Sequence, residues 1–228
     1  MRSQLDAAQP VDTVWQREVL TQPQAIAVTA AFCKARGAIK FFDAGDVQAN
    51  GFQIVEDDSP YETFTEAGAS YMGFSVSALL AGALADNGRY GVAFTGDGSF
   101  TMNPQVLIDG VEHSVRGAIV LFDNRRMGAI SGLQQAQYGA DFRTSDSVPV
   151  DYVQMAASVP GVKALSGGFD PSSLESALEE AFGYDGLSLI HVPVYFGDDP
   201  RGGMGAYGRW NVGNWCDDVQ DRYVRTLI

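Results

Sequence analysis

Cysteine is scarce in this chain, with Cys33 and Cys216 the only two among 228 residues. That excludes a disulfide framework and a four-cysteine metal site, and makes a reducing cytoplasm the expected compartment. Cys33 falls in a helical pattern and is read as a packed small hydrophobe. Histidine is equally rare: His113 and His191 are both read as structural, and no Ser-His-Asp triad can be assembled. Basic residues number 15 against 28 acidic ones, a formal net charge of −13 with a pI near 4.4. That balance argues against nucleic acid or a membrane surface as partner, and an anionic ligand would need its own metal. No apolar run is long enough for a membrane span, and no secretory segment is read.

What the chain does have is a hydrophobic content of 46%, enough for one sizeable core. The stretch from Gly96 to Asn124 organises the rest. Tyr90–Thr95 is a short apolar, partly β-branched run that predicts a buried strand ending at a glycine. Asn103-Pro104 predicts an N-cap and a first helical turn, with Val106, Leu107, Gly110, Val111 and Val115 at helical spacing. Gly117–Phe122 is a second buried strand, so the unit reads as a βαβ crossover with parallel strands. Asp97 and Asn124 then both fall just past the carboxyl end of a strand, where open α/β sheets bind ligands. Gly96 and Gly98 admit a ligand close to the backbone, and N–H groups near Ser99 can face an anion. A carboxylate and an amide oxygen suit magnesium or calcium, and magnesium completes its shell with phosphate and water. The residues alone thus predict a metal-bridged diphosphate site.

Gly-Asp-Gly followed by Asn124, 27 positions after Asp97, resembles the cofactor motif of thiamine diphosphate (ThDP) enzymes. The resemblance implies magnesium held by Asp97, Asn124 and the backbone carbonyl of Arg126, with Asp123 standing where many relatives have Asn. Met72-Gly73 matches the pair whose bulky residue wedges beneath the cofactor and keeps it bent. Gly45, Val47, Gln48, Tyr71, Met72, Gly96, Asp97, Gly98, Ser99, Asn124, Met127 and Gly128 become the expected cofactor contacts. Residues 65–134, Val148–Asp151 and the Trp-Asn-Val-Gly tail look most like trihydroxycyclohexanedione hydrolases. Acetohydroxyacid synthases and sulfopyruvate decarboxylases are looser matches.

The expected fold is α/β: an open, mostly parallel sheet of about six strands with helices on both faces. Residues 1–20 form an arm of a kind that often contacts a partner, 21–196 the diphosphate-binding domain, and 197–228 a glycine- and aromatic-rich tail suited to a lid or an interface. Within the domain, a helix runs from Thr21-Gln22-Pro23 to Gly37 and a strand covers 39–42. Residues 49–65 read as a polar loop before a short strand near 62–65. A small-residue helix spans 76–85 and closes at Asn87-Gly88. Residues 125–135 read as a loop, with Arg125 and Arg126 at the surface unless they receive a carboxylate or phosphate. Helix 151–159, strand 161–165, a helix capped at Asp170-Pro171 and strand 187–194 complete the pattern.

ThDP chemistry needs a glutamate against the aminopyrimidine, which the resemblance assigns to a separate pyrimidine-binding domain. Glu62 and Glu66 are read as solvated or structural. The expectation is therefore the diphosphate-binding subunit of a heteromer, heterodimer or heterotetramer, whose partner supplies the glutamate. Its implied activity is that of a lyase or carboligase acting on a 2-oxo acid or 1,2-dicarbonyl through a carbanion-enamine. The alternatives are a catalytically silent binding or regulatory module and a sulfopyruvate-decarboxylase-like beta subunit. Two cysteines are too few for an iron–sulfur oxidoreductase subunit, and Ser99 stands where a transketolase half usually carries an acid.

Overall fold

The computed structural model describes residues 5–66, 68–85, 88–145 and 148–197. The expected tail beyond 197, Cys216 within it, and Asn87 lie outside the described residues. Two short strands, β1 (Val11–Asp12) and β2 (Arg17–Glu18), pair antiparallel within the expected arm. This segment packs on the body: Trp15 Nε1 donates to Val194 O at 3.1 Å, and buried Asp12 accepts the N–H groups of Val14 and Phe196, both at 2.7 Å.

Among the described residues the central sheet has six strands, all paired parallel, in the order β4-β3-β5-β6-β8-β7. They are β3 (Ile39–Phe42), β4 (Thr63–Thr65), β5 (Gly91–Gly96), β6 (Gly117–Asp123), β7 (Lys163–Ser166) and β8 (Leu187–Pro193). Strands buried on both faces read as continuous apolar runs, as β5 and β6 do. Alternation divides them between two cores. Phe42, Val92, Phe94, Val120 and Phe122 face helices α1 (Gln22–Arg36) and α8 (Pro171–Phe182). Phe41, Ala93, Ile119 and Leu121 face α3 (Phe74–Leu84), α5 (Val106–Glu112) and α7 (Tyr152–Ala157). Beside β3 the chain first moves outward to β4 and then returns to β5 on the other side. That reversal is a topological switch point, and its crevice opens at the carboxyl ends of β3 and β5. Among the described residues no helix is long and apolar enough to cross a membrane.

Local signals placed several elements well. Thr21 caps α1 in a reciprocal box with Gln24, and Gly37 ends it at φ 62°. Asp170 Oδ1 accepts Ser173 N at 3.0 Å at the start of α8, and Asp151 caps α7 in the same way. Three expectations are corrected. Residues 46–54, expected partly as loop, form helix α2 (Asp46–Ile54), with Val47, Gln48, Ala49, Asn50 and Gly51 buried. The buried polar side chains and the glycine masked the apolar period. Residues 128–138 form α6 (Gly128–Tyr138) rather than a loop. Its small and amide residues are tied down from outside: Ser131 Oγ bonds Asp141 Oδ2 at 3.1 Å and Gln135 Nε2 bonds Asp141 Oδ1 at 3.2 Å. Asn103 does not cap α5, whose N-cap is Gln105 without a side-chain bond. Asn103 Nδ2 donates instead to Ser77 Oγ at 3.0 Å, tying that turn to α3.

Gly51 is required by packing. A Cβ there would lie 2.4 Å from Phe42 Cε1, and Phe42 is locked in a stack with Phe94 at 4.3 Å. Helix propensity favours Gly51→Ala by about 1 kcal/mol, but overpacking a core costs about 1–3 kcal/mol, so a lowered melting temperature is expected in calorimetry. Asp170 gives a pH dependence. Its carboxyl is lowered from 3.8 to about 2, chiefly by the Ser172 hydroxyl and then the Ser173 N–H. A group depressed in the folded state stabilises fully above its unfolded value and loses that contribution as pH falls through its folded one. The stability gap between wild type and Asp170→Ala, read by urea unfolding, should therefore hold above pH 3.8 and close as the pH falls to about 2.

Candidate functional site

Three loops leave the carboxyl edge of adjacent strands and enclose one cavity of ≈ 180 Å³. After β3 come Ala44, Gly45 and Asp46; after β5 come Gly96, Asp97, Gly98 and Ser99; after β6 come Arg126, Met127, Gly128, Ala129, Ile130 and Leu133. Met72 and Ser70 complete the wall. The structure thus brings Gly45, Met72, Gly96, Asp97, Gly98, Ser99, Arg126, Met127 and Gly128 together. Val47, Gln48, Tyr71 and Asn124 do not line this cavity. Val47 is fully buried beneath it, and Tyr71 is half exposed against Phe74. Gln48 Nε2 donates to Thr65 Oγ1 at 2.6 Å and Glu66 O at 2.9 Å, organising the loop that leads to Met72.

Parallel pairing fixes the two metal candidates. Thr95 faces Leu121 and Gly96 faces Phe122, so Asp97 and Asn124 emerge from neighbouring strands, both side chains buried. Asp97 begins a single helical turn, α4 (Asp97–Phe100), and its Oδ1 accepts Gly98 N at 2.9 Å. Asn124 is held at both ends: Oδ1 accepts Arg126 N at 3.1 Å, and Nδ2 donates to Asp46 Oδ2 at 3.3 Å. Asp46 is not among the expected contacts, although Gly45, Val47 and Gln48 on either side of it are; its tie to Asn124 spans 78 positions and has no local signal. Its carboxyl is raised above the ordinary value, mainly by burial, against the opposing bonds from Gln22, Val47 and Asn124.

Arg126 is buried rather than at the surface, with its guanidinium 4.1 Å from the Phe196 ring centre and Nε bonded to Ser145 Oγ at 3.4 Å. Met127 N donates to Thr144 O at 2.7 Å, so residues 144–145 steady the loop whose carbonyl is the third expected ligand. Asp123 gains an explanation from β8. Its Oδ2 lies 2.9 Å from His191 Nε2, and its Oδ1 accepts Arg125 N at 3.0 Å, setting the turn after Asn124. His113 ends α5 and lines no part of the cavity. Cys33 is buried in the core, its thiol pushed up to about 12 by burial, and is inert.

The donors present suit a metal–diphosphate group. A carboxylate, an amide oxygen and a carbonyl are hard ligands. Among the described residues no cluster of three His, Cys, Asp or Glu side chains could hold a metal ion, so phosphate and water would have to complete its shell. Glycines keep the cradle open. A Cβ on Gly128 would sit 2.4 Å from Asp46 Oδ2, and one on Gly98 2.8 Å from Met127 Sδ and 3.3 Å from Met72 Cε.

The fold and cavity define a doubly wound α/β domain with its cavity at the carboxyl edge of the sheet. The chain belongs to the thiamine pyrophosphate enzymes, residues 43–192 matching the C-terminal TPP binding domain of that family. A 3D-(3,5/4)-trihydroxycyclohexane-1,2-dione hydrolase of Lacticaseibacillus casei is 33% identical over 177 residues, 74% of this chain and 26% of that protein. The acetolactate synthase isozyme 1 large subunit of Escherichia coli K12 is 29% identical, covering 72% of this chain and 29% of that protein. The chain therefore spans 26 to 29% of the length of these curated relatives. In fold it is similar to a thiamine diphosphate-dependent 4-hydroxybenzoylformate decarboxylase of Rhodococcus jostii RHA1. The TM-score is 0.69 at 19% identity, over 79% of this chain and 34% of the other. A benzoylformate decarboxylase of Polynucleobacter necessarius gives 0.68 at 20% identity, over 77% and 33%.

The Asp123–His191 contact ties the turn after Asn124 to β8. In a double-mutant cycle of Asp123→Asn and His191→Asn, read by denaturant unfolding, the two changes should couple by about 1 kcal/mol or more. Additive single effects would show that the two side chains do not act as a pair.

Proposed function

We propose that this chain is the diphosphate-binding subunit of a ThDP- and magnesium-dependent lyase or carboligase acting on a 2-oxo acid or 1,2-dicarbonyl. The observation that carries this reading is the convergence of Asp97, Asn124 and the Arg126 loop at the carboxyl ends of β5 and β6, beside a glycine-kept cavity walled by Met72. Asp97, Asn124 and the Arg126 carbonyl would hold magnesium on the diphosphate, with N–H groups near Ser99 facing its oxygens. Met72 and Met127, whose side chains both reach over Gly98, would bear on the rest of the cofactor. When bound, ThDP supplies an electron sink for the pair released or shared at a carbonyl carbon. The 1,2-dione in the first relative's name favours the dicarbonyl class.

The glutamate required by that chemistry is proposed to come from a pyrimidine-binding partner subunit. The acids lining the cavity among the described residues are Asp46 and Asp97, with no glutamate. Glu66 accepts the N–H groups of Gly68 at 2.7 Å and Ala69 at 2.9 Å, and Glu62 that of Asp58 at 3.0 Å. Exposed apolar side chains near the cavity, Tyr71 at 51% and Ile130 at 43% of full exposure, suit a covering partner.

In calorimetry with magnesium, Asp97→Ala should weaken ThDP binding by more than about a hundredfold, and removing magnesium from the wild type should do the same. Binding by the variant at wild-type strength, or binding indifferent to magnesium, would overturn the assignment.

A further inference from the structure

Asp43 stands outside the cavity lining yet bonds to three of the four segments that build it. It is fully buried at the carboxyl end of β3, where a carboxylate persists only if its oxygens are satisfied. Oδ1 accepts the N–H of Gly73 at 2.8 Å and of Ala44 at 3.0 Å. Oδ2 accepts the hydroxyls of Ser75 at 2.7 Å and Thr95 at 2.9 Å. All four partners are neutral donors, and they come from three segments. Ala44 precedes Gly45, Gly73 follows Met72, and Thr95 lies two residues before Asp97.

These bonds are not equally replaceable. Thr95 Oγ1 has a second acceptor in Gly96 O at 3.2 Å, and the β5–β6 ladder holds Gly96 independently. Gly73 caps α3 at φ 90°, and Ser77 N and Oγ hold its carbonyl at 3.4 and 2.9 Å, but its N–H, on the Met72 side, is bonded to Asp43 alone among the described contacts. Removing Asp43 would therefore loosen the Met72–Gly73 turn on its N–H side while leaving Asp97 in register. The structure assigns Asp43 the role of a positioning residue that sets the height of Met72 against the body of the cofactor. The assignment rests on the reading that this cavity takes ThDP.

Two probes separate the effects. ThDP reaches both the metal clamp and Met72, whereas inorganic pyrophosphate with magnesium reaches only the clamp. By calorimetry on the full chain, Asp43→Ala should weaken ThDP by at least about fivefold, the consequence of an unsatisfied buried N–H, while pyrophosphate affinity stays within about twofold. Asp43→Asn, which keeps an oxygen for Gly73, should recover most of the loss. Adding Met72→Ala to Asp43→Ala should cost nothing further, because both changes remove the same contact. If the alanine variant does not fold, Asp43→Ser, too short to reach Gly73, takes its place. Equal loss of both ligands, no loss of either, or additivity with Met72→Ala would overturn the assignment. A wild-type chain that binds neither ligand would overturn the diphosphate reading and this inference with it.

Discussion

The parallel pairing of β5 with β6 is the constraint on which the rest depends. Its register sets Gly96 beside Phe122 and so delivers Asp97 and Asn124 side by side at one edge of the sheet. A carboxylate and an amide separated by 27 residues become neighbours only through that ladder. The strands can lie there because both faces are covered: alternate side chains of β5 and β6 enter two separate cores, one beneath α1 and α8, the other beneath α3, α5 and α7. Burial on both faces removes water from the ladder and makes any slip in register costly, since a slip of one residue would exchange the two faces.

Around that edge, polar side chains hold backbone rather than react. Asp43 bonds three segments, Asp46 holds the Asn124 amide, and Asp123 spans between the turn after Asn124 and His191. Each is buried or half-buried, and each exchanges water for fixed donors, which gives the cavity its shape before any ligand arrives. An acidic chain that collects carboxylates at an anion site needs such arrangements, because two of the acids at the cavity, Asp46 and Asp97, would repel a bare diphosphate. The magnesium proposed at Asp97 and Asn124 would resolve that conflict.

Much of the fold was legible because its signals are local. Thr21 with Gln24, Gly37, Asp151 and Asp170 marked helix ends through bonds spanning at most four residues, and the apolar runs of β3, β5, β6 and β8 announced buried strands. The helices that escaped, α2 and α6, carry glycine and amides on faces that the fold buries or ties down. Gly51 weakens a helix in isolation and is needed here because Phe42 lies against it. Asn103 has the chemistry of a cap and serves as a tie to Ser77 instead.

The sequence by itself determined the class of fold and the strand-helix-strand unit, and it supplied the residues proposed to bind a metal diphosphate, since spacing and side-chain chemistry carry that information. Tertiary structure alone decided which of the expected contacts share a cavity, that Asp46 belongs to it, that Arg126 is buried under Phe196, and that Asp123 faces His191. Those relations join residues as many as 78 positions apart, as between Asp46 and Asn124. They arise from packing of one strand end against another, which no local pattern encodes.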